Sequence, residues 1–473
     1  MQLPNTRIRK DSYGAIKKRL VKILVPSLGI VLISSINGYA QEASSDLTTL
    51  SHENEAQTNV AAAIQNSWNQ VTSFDPFTEI EANFVMDVND LVQTSFDLQG
   101  SSRSDGSGLG LTEEQVNAAL QDYADEEVAT QATGAIETAN GQYTNLAQRQ
   151  QQLHMGMTGL SSRGLSVNLN GNMLPENPAA RGGAASSDPE YRGPWGVFLN
   201  GTYSKGDKDT TSRENGFDVD SYGLTGGVDY QITDALFAGL AFGYSLADAD
   251  ITNNAGHLKT YSKSVSTYTS YNIEHFYVDG LFSYARNDYH SQRNIEYSTI
   301  NTSPASDAEG NLFAYGLTAG YRQNYGAWTV SGFAGTRYIN ADVGAFDEKG
   351  GASPELNLRV DSQDFESLKT ILGGRVSFAS SQSFGVFVPT FRAEWVHEFQ
   401  NDSRTVNAVF INDPFSTPFA VPTDNPDRDY FKVGGGISFV VKNGIQGFVD
   451  YEATLGLDDI SNHVVTVGGR YEF

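Results

Sequence analysis

Cysteine is absent from all 473 residues, which excludes a disulfide framework, a thiolate metal site and a cysteine nucleophile. Its absence also suits a chain exported through an oxidising compartment. Basic residues are scarce: 31 Lys and Arg face 56 Asp and Glu, a formal net charge of -25. Outside the N-terminus they do not cluster, so the basic face that nucleic acid requires is missing. Proline is sparse, at 14 residues against 47 glycines and 11% aromatics, a composition that leans towards β structure. Long hydrophobic runs are missing as well. Beyond the N-terminus nothing approaches the 18 consecutive apolar residues of a membrane-crossing helix, which excludes helical spans.

The N-terminus has its own pattern. Arg7, Arg9, Lys10, Lys17, Lys18, Arg19 and Lys22 precede an apolar run over 23–36, then Asn37, Gly38, Tyr39 and Ala40. A basic region, a short apolar core and a small residue before polar Gln41 form a secretory signal peptide, residues 1–40, cut after Ala40. The alternative, a transmembrane anchor, is opposed by Pro26 and Gly29 inside the run.

Residues 41–170 are rich in Ala, Asn, Gln, Ser and Thr and read as helices and loops. Thr112 and Gln115 have the capping-box spacing. Val116, Leu120 and Tyr123, then Ile136, Ala139, Tyr143, Leu146 and Leu153, recur at helical steps. Gly134 and Gly141 interrupt that stripe and argue against one unbroken helix. Residues 101–110 read as a flexible linker, and 171–194 as a second one.

From Trp195 onwards the chain alternates apolar and polar residues in about twelve segments: 195–204, 218–231, 235–247, 258–271, 275–289, 312–323, 327–340, 366–379, 383–399, 430–441, 445–456 and 463–473. Each is about long enough for a tilted strand to cross a bilayer. A soluble sandwich would show the same alternation, so the connections discriminate. They are long at 205–217, 292–311, 341–365 and 400–429, and tight at 233–234, 324–326, 380–382 and 443–444. Outer-membrane barrels have this asymmetry because periplasmic turns are short and external loops can grow. Tyr and Trp near segment ends (Trp195, Tyr203, Tyr230, Tyr289, Tyr325, Trp328, Trp395, Tyr430, Tyr471) are expected to form the interfacial girdles. The fold class expected is all-β: a 12-stranded antiparallel transmembrane β-barrel over 195–473, behind a mostly helical or disordered N-terminal region.

Several stretches carry a resemblance in addition: Trp195 to Phe198 (WGVF), Tyr222 to Tyr230 (YGLTGGVDY), Tyr277 to Gly280 (YVDG), Arg392 to Phe399 (RAEWVHEF) and the closing Gly468 to Phe473 (GGRYEF). In this order they resemble the translocator barrel of type V autotransporters. The resemblance implies a helix threaded through the lumen, near 144–157, and passage of an N-terminal passenger to the cell surface. It also implies periplasmic chaperones and a barrel-assembly machinery that reads the last strand, here Val465, Val467, Gly469, Tyr471 and Phe473. The family's inner-wall pairing falls on Arg375, Arg392, Glu394 and Arg470, in a structural role. Two features depart from the family. The short repeats of large β-helical passengers are missing from 41–190, so the passenger reads as short and helical. Some members cut their passenger at an adjacent Asn pair in the lumenal helix, whereas Asn253 and Asn254 lie in an external loop, so the passenger is expected to stay attached.

Catalytic signals are weak. Ser107, in Asp105-Gly106-Ser107-Gly108, lacks both the order of known serine nucleophile motifs and a flanking strand and helix. The seven histidines show no metal-ligand spacing. The acidic loops at 207–209, 248–250 and 424–429 fit no EF-hand and read as solvated surface facing anionic lipopolysaccharide. The expectation is a monomeric, non-enzymatic outer-membrane autotransporter without cofactor or metal, in contact with outer-membrane lipid and lipopolysaccharide, anchoring its own N-terminal segment. Two other readings are a passenger-less barrel serving as a pore or structural surface protein, and a membrane-embedded hydrolase with its site on the external loops.

Overall fold

Successive residues of a strand point to opposite sides of a sheet, and here that alternation builds one closed wall. The computed structural model describes residues 45–71, 77–124, 127–154, 168–169, 172–173, 194–382, 385–400, 402–441 and 446–471. The expected signal peptide, most of 171–194 and Phe473 lie outside the described residues.

Twelve strands form the wall: β1 (Trp195–Lys208), β2 (Phe217–Gln231), β3 (Leu236–Ile251), β4 (Gly256–Ile273), β5 (Phe276–Arg293), β6 (Ala305–Tyr325), β7 (Trp328–Val343), β8 (Gln363–Phe378), β9 (Gly385–Glu398), β10 (Asp429–Val441), β11 (Gln446–Leu455) and β12 (Ile460–Tyr471). Each pairs antiparallel with the next. β12 returns to β1, with Val467 opposite Gly201 and Tyr471 opposite Val197. The closed barrel leaves no strand edge, as hydrocarbon demands: without water, an unpaired amide costs several kcal/mol.

On β1, Trp195, Val197, Leu199 and Tyr203 face outwards, 37% to 58% exposed, while Phe198, Asn200, Thr202 and Ser204 are buried inside. At one end the connections are tight, as at 232–235, 274–275 and 326–327. At the other end most strands run two to seven residues beyond the expected limits, β6 for 21 residues, and the chain continues into a four-stranded sheet (Phe346–Asp347, Leu358–Val360, Thr405–Phe410, Pro418–Pro422) and a small hairpin (Ile295–Tyr297, Ile300–Thr302). This is the external end.

Among the described residues four α-helices precede the barrel: α1 (Glu55–Gln70), α2 (Glu79–Leu98), α3 (Glu113–Tyr123) and α4 (Glu127–His154). Capping boxes start α2, from Thr78 and Glu81, and α3, from Thr112 and Gln115, satisfying amides the first turn leaves unpaired. α1–α3 share one apolar core with the external sheet. The Phe84 and Tyr123 rings lie 5.2 Å and 5.5 Å from that of Phe410.

Some expectations change. Residues 101–110 form a tied turn, since the Asp105 amide donates to Gln93 and the Leu109 amide to Thr94. α4 runs unbroken through Gly134 and Gly141. At Gly134 a Cβ would lie 2.4 Å from Thr260 Oγ1, so a glycine lets the helix approach the wall. Tyr289 and Tyr430 are not girdle residues. Both fall on the inward parity of their strands and are buried, Tyr289 in the external core and Tyr430 beside Ile371 and Val396.

Candidate functional site: the plugged lumen and its external mouth

α4 occupies the lumen, packed chiefly on β1–β5. It is mainly polar, yet buried, so each polar group needs a partner from the wall. Arg149 is fully buried and grips Asp229 of β2 with two bonds, Nε to Oδ2 at 2.7 Å and Nη2 to Oδ1 at 2.8 Å. The Tyr268 hydroxyl donates to the same carboxylate at 3.1 Å. One turn above, Asn145 Nδ2 donates to Thr225 Oγ1 at 3.0 Å, and Asn200 Nδ2 donates to the Asn145 carbonyl at 2.8 Å. Gln150 Nε2 reaches the carbonyls of Thr269 and Gly280, each at 3.0 Å. At the foot of the helix His154 Nε2 lies 2.8 Å from Asp279, and Arg322 donates to the His154 carbonyl.

The opposite wall carries its own ion network. Arg392 bonds Asp450 and Glu452 at 2.7 Å each, and Lys432 bonds Glu452 at 2.9 Å. Glu394 lies 4.0 Å from Arg392, and the Arg375 guanidinium sits 5.6 Å from the Phe333 ring centroid. Between this wall and α4 remains a cavity of about 90 Å³ lined by Arg337, Arg375, Glu394, Gln151 and His154. Three of the four residues expected in the lumen therefore line it, and the Arg470 side chain lies outside the described residues. Of the last-strand residues, Val465 and Val467 face outwards, Gly469 pairs with Leu199 and Tyr471 with Val197.

Arg149, Asp229, Asp450, Glu452 and Lys432 were missed from sequence. The signal was present: Asp229, Asp450 and Glu452 stand at inward parity in otherwise lipid-facing strands, and Arg149 is the lone arginine of α4.

The external mouth is covered by α1–α3. Asn59 Nδ2 donates to the Ala420 carbonyl at 2.8 Å and Ser67 to Asp413 at 2.7 Å. Arg293, at the end of β5, donates to the Asp122 carbonyl at 2.8 Å and pairs with buried Glu348. The Tyr123 and Tyr297 hydroxyls are hydrogen-bonded. In the same interface burial, and then repulsion from Glu355 and Asp90, push the Asp87 carboxyl up to about 7. Burial also raises Asp122, to about 6.

Among the described residues no group of three or more His, Asp or Glu is placed to hold a metal ion. The acidic loop residues have other partners: Asp424 with Lys208 at 2.7 Å, Asp207 with Ser461 at 2.5 Å, and Asp248 with His257 and Lys259 at 3.2 Å and 3.4 Å.

A closed 12-stranded wall threaded by a helix is the context for the family comparison, in which residues 197–452 match the autotransporter beta-domain. The chain belongs to the autotransporter family. This autotransporter is an outer-membrane barrel. It is 25% identical over 246 residues to Esterase EstA of Pseudomonas aeruginosa, a match covering 50% of this chain and 37% of the esterase. It is 24% identical over 300 residues to Outer membrane protein A of Rickettsia conorii, covering 61% of this chain and 14% of that protein. The autotransporter thus spans well under half the length of these curated relatives. Among solved structures, the translocator domain of autotransporter NalP from Neisseria meningitidis aligns with a TM-score of 0.48 at 20% identity, covering 60% of this chain and 90% of that one.

Proposed function

We propose that this autotransporter carries its own N-terminal helices to the cell surface and keeps them there, seated on the barrel mouth. In this reading residues 1–40 are a signal peptide, 41–170 the passenger with its lumenal helix, 171–194 a linker and 195–473 the anchor. Periplasmic chaperones and the barrel-assembly machinery deliver a monomeric chain, with Val465, Val467, Gly469, Tyr471 and Phe473 as the assembly signal. Arg375, Arg392, Glu394 and Arg470 serve the inner wall structurally.

The observation that carries the reading is the apolar core shared by α1–α3 and the external sheet. A passenger held by such a core is a seated cap and not a free arm. One relative is named an esterase, which makes hydrolysis by the passenger the competing reading. Ser107, the residue nearest to a nucleophile motif, has a buried hydroxyl without a hydrogen-bond partner among the described residues. That favours display over catalysis.

An epitope inserted between Asp105 and Gly106, both exposed, tests it. Antibody should label intact cells and find no fragment in the medium. Labelling only after the outer membrane is breached, or a shed fragment, would overturn the proposal.

A further inference from the structure

The outward face of β3–β6 is organised in rows of directly opposed residues. One row is Leu240, Thr267, Phe282 and Tyr315; the next towards the external end is Phe242, Val265, Tyr284 and Phe313; the third is Tyr244, Lys263, Arg286 and Asn311. The second row is uncharged, its single side-chain polar group the Tyr284 hydroxyl that donates to Asn311 at 2.9 Å, and the third places two cations side by side. On β5 the outward positions from Phe276 to Tyr284 carry no charge, and Arg286 lies ten residues beyond Phe276, about 33 Å along the strand at ~3.3 Å per residue or about 25 Å of height at a tilt of ~40°. An apolar band on such barrels is about 25 Å tall. Arg286 and Lys263 therefore stand at its external rim, where the headgroups of the outer leaflet begin.

Like charges directly opposed on one face of a sheet repel, so the two cations stand together only with anions beside them. Asp288 and Glu309 each pair with one of the cations from farther out on β5 and β6, Asp288 at 2.9 Å from Lys263, so what the pair offers a further ligand is its remaining donors. Each takes one donor among the described residues, out of three on lysine and five on arginine. Both cations remain exposed, their side chains at 66% and 50%.

Directly below lies a groove of about 450 Å³ on the lipid side. Its floor is the small residues Thr267, Thr269 and Gly280, and its walls are Phe282, Tyr315 and Tyr338. Thr267 and Phe282 lie four residues from the cationic pair, about 13 Å along the strands. A charged clamp above a hydrocarbon groove at that separation matches one amphiphile with a phosphate at its head.

We propose that this strip binds a lipid A molecule of the outer leaflet, its phosphate on Lys263 and Arg286 and an acyl chain in the groove. The phosphate accepts charge-assisted hydrogen bonds from both cations, and Tyr244 flanks it. Lipid A is favoured over phospholipid because the clamp is at the external rim, on the side covered by α1–α3.

Native mass spectrometry of the full-length protein in detergent, titrated with lipid A, tests the site. The parent should bind one lipid A tightly. The double variant Lys263→Gln/Arg286→Gln should bind it at least tenfold more weakly, and so should Thr267→Phe, which fills the groove. Lipid A stripped of its phosphates and phosphatidylglycerol should both bind at least tenfold more weakly to the parent. These side chains point outwards, and heat-modifiable gel migration verifies that each variant retains the barrel. Unchanged affinity in the double variant, or equal binding of phosphatidylglycerol, would overturn the proposal.

Discussion

At the residue scale, the seat of α4 depends on one buried charge pair. Arg149 and Asp229 are each almost wholly enclosed, so removing one strands the other without water. Breaking a buried pair in this way costs about 3–5 kcal/mol. Arg149→Ala should loosen α4 in the lumen, seen as faster hydrogen exchange along the helix and easier ion passage through reconstituted barrels. A variant as tightly plugged as the parent would count against this role. Asp87 gives a second prediction. Its carboxyl is raised from 3.8 to about 7 by burial and by Glu355 and Asp90, so the docked state holds its proton more strongly than the undocked one. Above the docked value the penalty for ionising inside the interface is complete; it shrinks as pH falls from about 7 and disappears below about 4. Docking of α1–α3 should therefore be firmer at pH 5 than at pH 8, measured by protease cleavage in the 101–110 turn, and Asp87→Asn should reduce that difference, with Asp122, raised to about 6, carrying the rest. An unaltered pH difference in the variant would rule out Asp87 as its source.

At the element scale, the strands were legible because each is wetted on one face and lipid-coated on the other, an alternation every residue reports. Their inner limits matched closely. Most of their outer limits did not, because beyond the bilayer both faces can be polar or packed, as at Ala305 and Ser306 of β6, and the period weakens. α3 was legible from Thr112, Gln115 and the Val116, Leu120, Tyr123 stripe. The continuity of α4 was hidden, since Gly134 reads as a break until Thr260 is seen against it. Gly134→Leu would preserve or raise helix propensity yet collide with the wall. The helix should then sit displaced, lowering resistance of the folded barrel to heat in gel-migration assays; a variant as resistant as the parent would mean that the close approach contributes nothing.

At the scale of the whole molecule, the external sheet and α1–α3 complete one core from opposite ends of the chain. Deleting 45–123 should leave a barrel that assembles and migrates normally, but uncover Phe410, Phe419 and Val421. The external loops should then become protease-sensitive on intact cells; loops as resistant as in the parent would show that they fold without the cap.

The order of twelve strands, the membrane side of most of their residues and the helical character of the N-terminal region follow from the sequence alone, because solvent and lipid act on each residue locally through its parity or its helical step. Which charges meet inside the lumen, and where the N-terminal helices come to rest, only the tertiary structure decides. Arg149 and Asp229 are 80 residues apart, and α1 and the 418–422 strand more than 340. Contacts across such separations leave no periodic trace in the chain, since they depend on closure of the barrel and on the one lumen that closure creates.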